Sequence, residues 1–585
     1  MDDKGLEQQL TEAAARGAMV DLRTGDPTAD DPAQGARWPA SRTVPAELIA
    51  RLVTGTQTPP RAVRLAGARV TGRLDLESAI LRCPLVLEGC SFEEPVTLEQ
   101  AQAATIRLPY CHVPAIAADE LNVRGALVLA GLVASEGGVS LSGAQVDGHL
   151  DLDGATLANA HGPALNADSL TVGRMMFCRN GFTAEGEVGL IGAQIGGNLE
   201  FDGAVLTANG RYALNADSLT VDQSVYCRNG FTAVGEVSLL GASVAGSLDF
   251  GGATLNNACG YALYAGGLTV GRGMFCRHGF TALGEVNVLS ANVGDNFDFA
   301  DAQLRNFGGY ALNGGNLTVE RGMFCRNHFT AVGETSLLGA QIGGSLVFTD
   351  ATLTNPDGLA LDLESARAGA LFLTPREPPG GIVDLTNARV TSFHDAVDGW
   401  PTAMRLRGFT YDVLENDTVT VRARLKWLAR HQGGYAPGLY DQLAAAYRRD
   451  GHTQAARRVG IAKQWRRRQA LNLLGKAWNW LLYLTVGYGY RTWLAGLWLA
   501  GLVAVGTAVF AGAYPGQMKA ASATVPEFQP AAYTLDVMLP VVDLGQKKNW
   551  FPQDTAQVWS WVLTGAGWVL TTAVVAGLTN ALKRD

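Results

Sequence analysis

The amino-acid sequence predicts a mainly β protein, a right-handed parallel β-helix joined to a C-terminal helical membrane domain. Three observations carry this. A unit of 49 residues recurs through the middle of the chain, with Cys178, Cys227, Cys276 and Cys325 at that spacing in the near-copies FCRNGFTA, YCRNGFTA, FCRHGFTA and FCRNHFTA. Short β-type runs separated by Gly, Asn and Asp fill each unit, and helical periodicity is absent there. Two long uncharged segments lie near the end of the chain, Thr492 to Ala513 and Thr555 to Leu582.

Composition agrees. Glycine is abundant at 71 of 585 residues, charged residues make up only 17%, and nearly half the chain is apolar, which excludes a disordered protein. The net charge of −8 hides an asymmetry: the chain is acidic or neutral to about residue 400, and a basic block follows. The eight cysteines contain no CxxC pair and read as reduced thiols.

Residues 1–60 read as an N-terminal helical cap region. MDDKGLEQQL is charged and has no apolar stretch, so no secretory signal is expected there.

Residues 61–398 read as the β-helix. Ala144, Ala193, Ala242, Ala291 and Ala340 share the 49-residue spacing, and a divergent copy, GARVTGRLDL, begins at Gly67. Each unit divides again into near-equal halves. LTVGRMMF at 170–177 and QIGGNLEF at 194–201 occupy equivalent places in the two halves, and the next LTV begins at Leu219. This predicts about 13 coils of 24–25 residues, each with about three short strands, in a rod roughly 60–65 Å long at ~4.8 Å per coil.

Strand alternation points Leu150 and Leu152 inward and Asp151 outward. Phe201, Phe250, Phe299 and Phe348 then stack in the core at the position of Leu152. Asp151, Glu200, Asp249 and Asp298 form an outward ladder on a solvated face, with Arg179, Arg228, Arg277 and Arg326 placed to pair with acidic neighbours. Asn166, Asn215 and Asn313 are expected to form an amide ladder, interrupted by Tyr264.

Equivalent cysteines lie two coils, or ~9–10 Å, apart, too far for a disulfide or a shared zinc ion, so they read as buried small hydrophobes. The carboxylates recur every second coil instead of clustering, which argues against a polysaccharide-cleaving cleft. His278 and His328 fall in the repeat loops and face solvent. No dinucleotide fingerprint, HExxH or Ser/His/Asp arrangement stands in a suitable context, so no catalytic, metal or cofactor residue is assigned.

Residues 399–476 read as a basic helical connector. YDQLAAAYRRDGHTQAARRVGIAKQWRRRQAL, 440–471, predicts two helices around a turn at Gly451, with apolar stripes Leu443, Ala446, Tyr447 and Ala455, Ala456, Val459, Ala462. No aromatic interleaving supports nucleic-acid binding. Arg466, Arg467, Arg468, Lys476 and Arg491 read as a basic collar facing anionic lipid.

Residues 477–585 read as the membrane domain: an interfacial segment at 477–490, spanning helices at 492–513 and 555–582, and an external or re-entrant loop at 514–554. The excess of Lys and Arg before the first span, with Lys583 and Arg584 after the second, puts both termini and the β-helix in the cytoplasm of an inner-membrane protein. Within FQPAAYTLDVMLPVVDLGQKKNWFP, 528–552, a helix-like run is followed by Pro540 and a glycine-containing turn. That order suits a pore loop formed by Asp536, Pro540, Asp543, Gly545 and Gln546, and it also suits, as the simpler reading, an interfacial cap on the hairpin. Thr485 to Gly489 spells TVGYG, a potassium-filter sequence, but no spanning helix precedes it, so it reads as a turn into the first span.

LAGARVTGRLDL, IAKQWRRR, GYGYRTW, YTLDVMLPVVDLGQKKNWFP and GWVLTTAVVAGLT occur together and in this order. The combination resembles a family of bacterial membrane-associated repeat proteins, whose members are labelled pentapeptide-repeat-like or membrane-associated oxidoreductases. The resemblance implies a β-helix followed by a two-helix membrane hairpin. It brings no catalytic residues to this chain, and the A(D/N)Lxx pentapeptide pattern is not kept in the 49-residue units. The expected function is a membrane-anchored scaffold or sensor, with a ligand or protein on its β-helix face, gating an oligomeric pore. The competing expectation is a membrane-associated oxidoreductase.

Overall fold

The structure is a computed structural model that describes residues 3–55, 60–415, 419–467, 483, 493–522, 525–539 and 541–582. It divides into two compact units: 1–420 with 429–432, and 421–428 with 433–585.

The first unit is a parallel β-solenoid of about 16 turns. Parallel pairing runs from Met19, which pairs with Arg64, to Leu414, which pairs with Phe393. The sequence-based count of 13 is low because the outer coils lack the FCRNGFTA copy that marks the repeat. Early coils are also shorter: the steps from Leu85 to its partner Ile106, and from Ile106 to Leu127, fall short of the central step from Thr171 to Gln194. Helix α1 (Asp3–Arg16) and helix α2 (Ala46–Thr54) precede and interrupt the first coils.

Most coils carry three strands, as expected, such as Gln194–Ile195, Leu199–Glu200 and Val205–Asn215, while the coil before it carries four, Thr171–Val172, Met176–Phe177, Thr183–Glu185 and Val188–Gly189. The two coils of a unit are also less equal than the sequence suggests, since Thr171 pairs with Gln194 and Gln194 with Thr220. The longer coil carries a protruding loop. Asn257 and Asn306 close two of these loops by donating Nδ2 to the carbonyls of Tyr261 and Tyr310, both at 2.8 Å.

Glycine makes the protrusion fit. Gly186, Gly235, Gly284 and Gly333 adopt φ of 129°, 120°, 118° and 120° on the coil that stacks against each loop. A Cβ at Gly284 would overlap the carbonyl oxygen of Asn257. Only glycine combines this backbone with this clearance.

The core follows strand alternation as expected. Phe201, Phe250, Phe299 and Phe348 are at most 1% exposed. A second column, Phe182, Phe231, Phe280 and Phe329, interleaves with them, with ring centroids 6.0 to 6.4 Å apart. Burying each ring contributes about 1.5–3 kcal/mol, repeated along the unit.

In the second unit, helices α3 (Val421–Leu428), α4 (Pro437–Arg449) and α5 (Thr453–Arg467) precede α6 (Trp493–Ala513), α7 (Pro530–Met538), the single turn α8 (Gln546–Asn549) and α9 (Asp554–Leu582). The turn between α4 and α5 is at Gly451, with φ 78°, as the sequence suggests. Leu443, Ala446, Ala456 and Val459 form the buried seam of that pair. Within α6, Gly496–Ala513 is long and apolar enough to cross a membrane.

Candidate functional site

The segment between α6 and α9 is folded on itself. Strand Met518–Ala520 pairs antiparallel with Trp550–Pro552, closing its base. Phe528 stacks against Tyr514 at 5.1 Å and meets Trp550 edge-on at 5.2 Å, while Phe510 of α6 meets Tyr533 of α7 at 4.8 Å. Trp550 Nε1 donates to the Pro526 carbonyl at 3.2 Å.

Helix α7 packs against both long helices, and two glycines permit it. A Cβ at Gly506 of α6 would overlap the side chain of Thr534, and one at Gly567 of α9 would overlap the carbonyl oxygen of Met538. From Asp554, where α9 starts, to Gly567 is about 20 Å along the helix. From Gly506 to Ala513, where α6 ends, is about 10 Å. The far end of α7 therefore reaches well down the long helices, and residues 541–545 return from there.

Each acid of the loop has a distinct place. Asp536 is 6% exposed, and its carboxylate accepts the backbone N–H of Leu544 at 2.9 Å and of Lys547 at 2.7 Å. It fastens the returning segment to α7 and caps α8. Asp543 is exposed, accepts the Gly545 N–H at 3.0 Å and pairs with Lys548. The Lys548 ammonium and that backbone N–H hold its carboxyl below the usual range. Gly545 takes φ 75°, which opens α8. Gln546 is 7% exposed, accepts from Gln529 N–H and donates to the Glu527 carbonyl, both at 3.3 Å. Pro540 lies outside the described residues.

Of the basic collar, Arg466 and Arg467 are exposed in the last turn of α5. Arg468, Lys476 and Arg491 lie outside the described residues, as do TVGYG at 485–489 and all of the interfacial segment 477–490 except Tyr483. Composition alone did not single out Gly506 and Gly567. The available signal was a glycine in mid-helix facing a short helix rich in small side chains.

On the solenoid, the acidic ladder is more enclosed than a solvated face. In register it alternates with aromatics: Asp151, Phe177, Glu200, Tyr226, Asp249, Phe275, Asp298, Phe324. Arg179 lies over Phe177 at 4.2 Å and pairs with Asp153 at 2.9 Å and Glu200 at 2.7 Å. Arg228 lies over Tyr226 at 4.0 Å and pairs with Asp202 at 2.8 Å. Arg277 and Arg326 cover Phe275 and Phe324 in the same way. His278 and His328 are exposed, in left-handed turn positions at φ 58° and 67°.

The amide ladder is corrected: equivalent asparagines are two coils apart and do not meet. Asn215 and Asn313 instead donate to Glu187 and Glu285, at 3.0 and 3.1 Å.

Cys178, Cys227, Cys276 and Cys325 are buried, and burial pushes all four thiols up. A protonated, enclosed thiol is a poor nucleophile. Cys90 and Cys111 differ in sitting one coil apart, with the Cys90 N–H 3.4 Å from the Cys111 sulfur. Among the described residues no group of three His, Cys, Asp or Glu side chains is arranged to hold a metal ion. No family model, curated protein or solved structure matches the chain.

Proposed function

We propose that the chain is a scaffold or sensor in which a cytoplasmic β-solenoid is anchored to a bacterial inner membrane by α6 and α9, with α7 and residues 541–545 forming a re-entrant pore loop in an oligomer. The observation that carries this reading is the contact of Met538 with Gly567, about 20 Å down α9. Irregular backbone at such a depth leaves N–H and C=O groups that lipid cannot satisfy. It is stable there only when covered by protein or when it lines water. An interfacial cap would instead rest at the helix ends. Two spanning helices cannot enclose a pore alone, so the reading requires copies of this chain around an axis. The exposed Val541, Val542 and Leu544 are suited to such a contact.

In this arrangement Asp536 positions the loop, and Asp543, partly neutralised by Lys548, is the acid able to meet an ion. Arg466 and Arg467 fit a basic collar on anionic lipid, and the charge bias puts both termini in the cytoplasm. The test is reconstitution into liposomes, with flux of K⁺, Na⁺ and Cl⁻ followed and native mass recorded in mild detergent. An oligomer with flux that Gly567→Leu abolishes is the expected result. A monomer with no flux overturns the pore.

A further inference from the structure

A second aromatic–carboxylate ladder runs beside the protruding loops. Tyr212 pairs in register with Glu236, Tyr261 with Glu285 and Tyr310 with Glu334, so the three pairs repeat every second coil, ~9–10 Å apart. The first pair is occupied by the chain itself. Arg211 lies over the Tyr212 ring at 4.6 Å, and its Nε and a terminal nitrogen donate to the two Glu236 oxygens at 2.9 and 3.0 Å. Stacked and bidentate, this is the strong form of guanidinium recognition.

The other two pairs lack that cation, and the one carboxylate oxygen of Glu285 that is engaged accepts only neutral amides, Asn287 at 2.8 Å and Asn313 at 3.1 Å. The residues equivalent to Arg211 are Gly260 and Gly309, and among the described residues no Lys, Arg or His forms an ion pair with Glu285 or Glu334. Asn257 and Asn306 stand where the first loop has Ala208, and their amides fill the space beside Gly260 and Gly309. The Tyr310 ring is 40% exposed and Phe307 on the same loop 79% exposed, while the half-buried Tyr261 has one face stacked on Tyr264 at 4.6 Å, which leaves its other face for a cation. Burial and Asp362 push the Glu334 carboxyl up, and Glu334 in turn pushes the Tyr310 phenol up, the mark of negative charge left uncompensated. On the other ladder Arg179, Arg228, Arg277 and Arg326 all cover their rings.

The geometry points to a docking strip for an extended, arginine-bearing protein segment, with one guanidinium over Tyr261 against Glu285 and another over Tyr310 against Glu334. Arg211 shows the occupant's chemistry at the first site. In a polyproline II segment three residues rise about 9 Å and return to the same face, so arginines at i and i+3 match the two open pairs. Polyanions are excluded by the same carboxylates. The inference rests on the scaffold half of the proposed function and is independent of the pore.

The test uses the full chain in detergent and a fluorescently labelled peptide with arginines at i and i+3, read by anisotropy. Peptides with citrulline or lysine at those places are the comparison. The arginine peptide is expected to bind, the lysine peptide more weakly, and the citrulline peptide not at all. Glu285→Gln with Glu334→Gln is expected to weaken binding about tenfold. Asn306→Ala with Gly309→Arg, which copies the Ala208 and Arg211 pair, fills the Tyr310 site from within and weakens binding to a similar extent. Melting followed by circular dichroism reports whether each variant is folded, and the pair of glutamine substitutions decides if the self-filling variant is not. Absence of binding to the natural chain, equal binding of the citrulline peptide, or full affinity in the folded variants overturns the strip, whatever the flux and oligomer measurements give.

Discussion

Glycine serves two different ends in the solenoid and in the helical hairpin. In the solenoid Gly186, Gly235, Gly284 and Gly333 supply a backbone conformation that other residues resist, four times over at the same place in the repeat. In the hairpin Gly506 and Gly567 have ordinary helical backbones and supply only clearance, each once, for α7. The solenoid spreads its stability over near-identical neighbours, so damage stays local. The hairpin concentrates its arrangement in two contacts, so one side chain can dislodge the loop.

The sharpest test of that contrast is Gly567→Leu. With the Met538 carbonyl where a Cβ must go, α7 has to leave its seat, at a cost of about 3 kcal/mol or more. Thermal unfolding followed by tryptophan fluorescence, with Trp550 buried in the affected cluster, should show a large loss. Retention of the natural melting temperature would mean that α7 is not seated there.

Phe250→Ala comes next. It leaves a cavity between coils and should destabilise the solenoid by about 3–5 kcal/mol. Hydrogen exchange should quicken over the adjoining coils and leave the distant ones protected. Loss of protection along the whole unit would refute the local picture.

Smaller effects separate conformation from clearance within the solenoid. Gly284→Ala meets both a φ of 118° and the Asn257 carbonyl, and should cost about 2–3 kcal/mol. Gly279→Ala has φ 82° and open space, and should cost about 1 kcal/mol. Equal losses in denaturant unfolding would show that clearance contributes nothing.

The smallest effect is electrostatic. Burial raises the carboxyls of Glu334 and Asp362 above the ordinary carboxylate range in the folded protein. Each therefore contributes stability that is present in acid and lost as pH rises through its raised value. Glu334→Gln should raise the melting temperature at neutral pH and flatten its decline between the ordinary and the raised carboxylate range. A melting temperature that falls at neutral pH in that variant would contradict the assignment.

Near-copies such as FCRNGFTA and GAQIGGNLEF determined the parallel solenoid, its inward phenylalanines and its buried cysteines, because a repeat that stacks on itself needs only its own period to define which side chains are enclosed. Charge-free stretches likewise determined the two long helices. The count of coils and the alternation of short and long coils were less legible, since pairing register depends on where a loop bulges, and a few extra residues look the same anywhere in a coil. The opposed fates of Asp536 and Asp543 needed the tertiary structure: both sit in one polar–apolar run, and only the return of residues 544–547 along α7 buries the first and leaves the second in solvent. The same holds for Gly567 and for the open Tyr–Glu pairs. A glycine in a helix or a glutamate in a strand has no partner written beside it, and the fold alone decides what comes within reach.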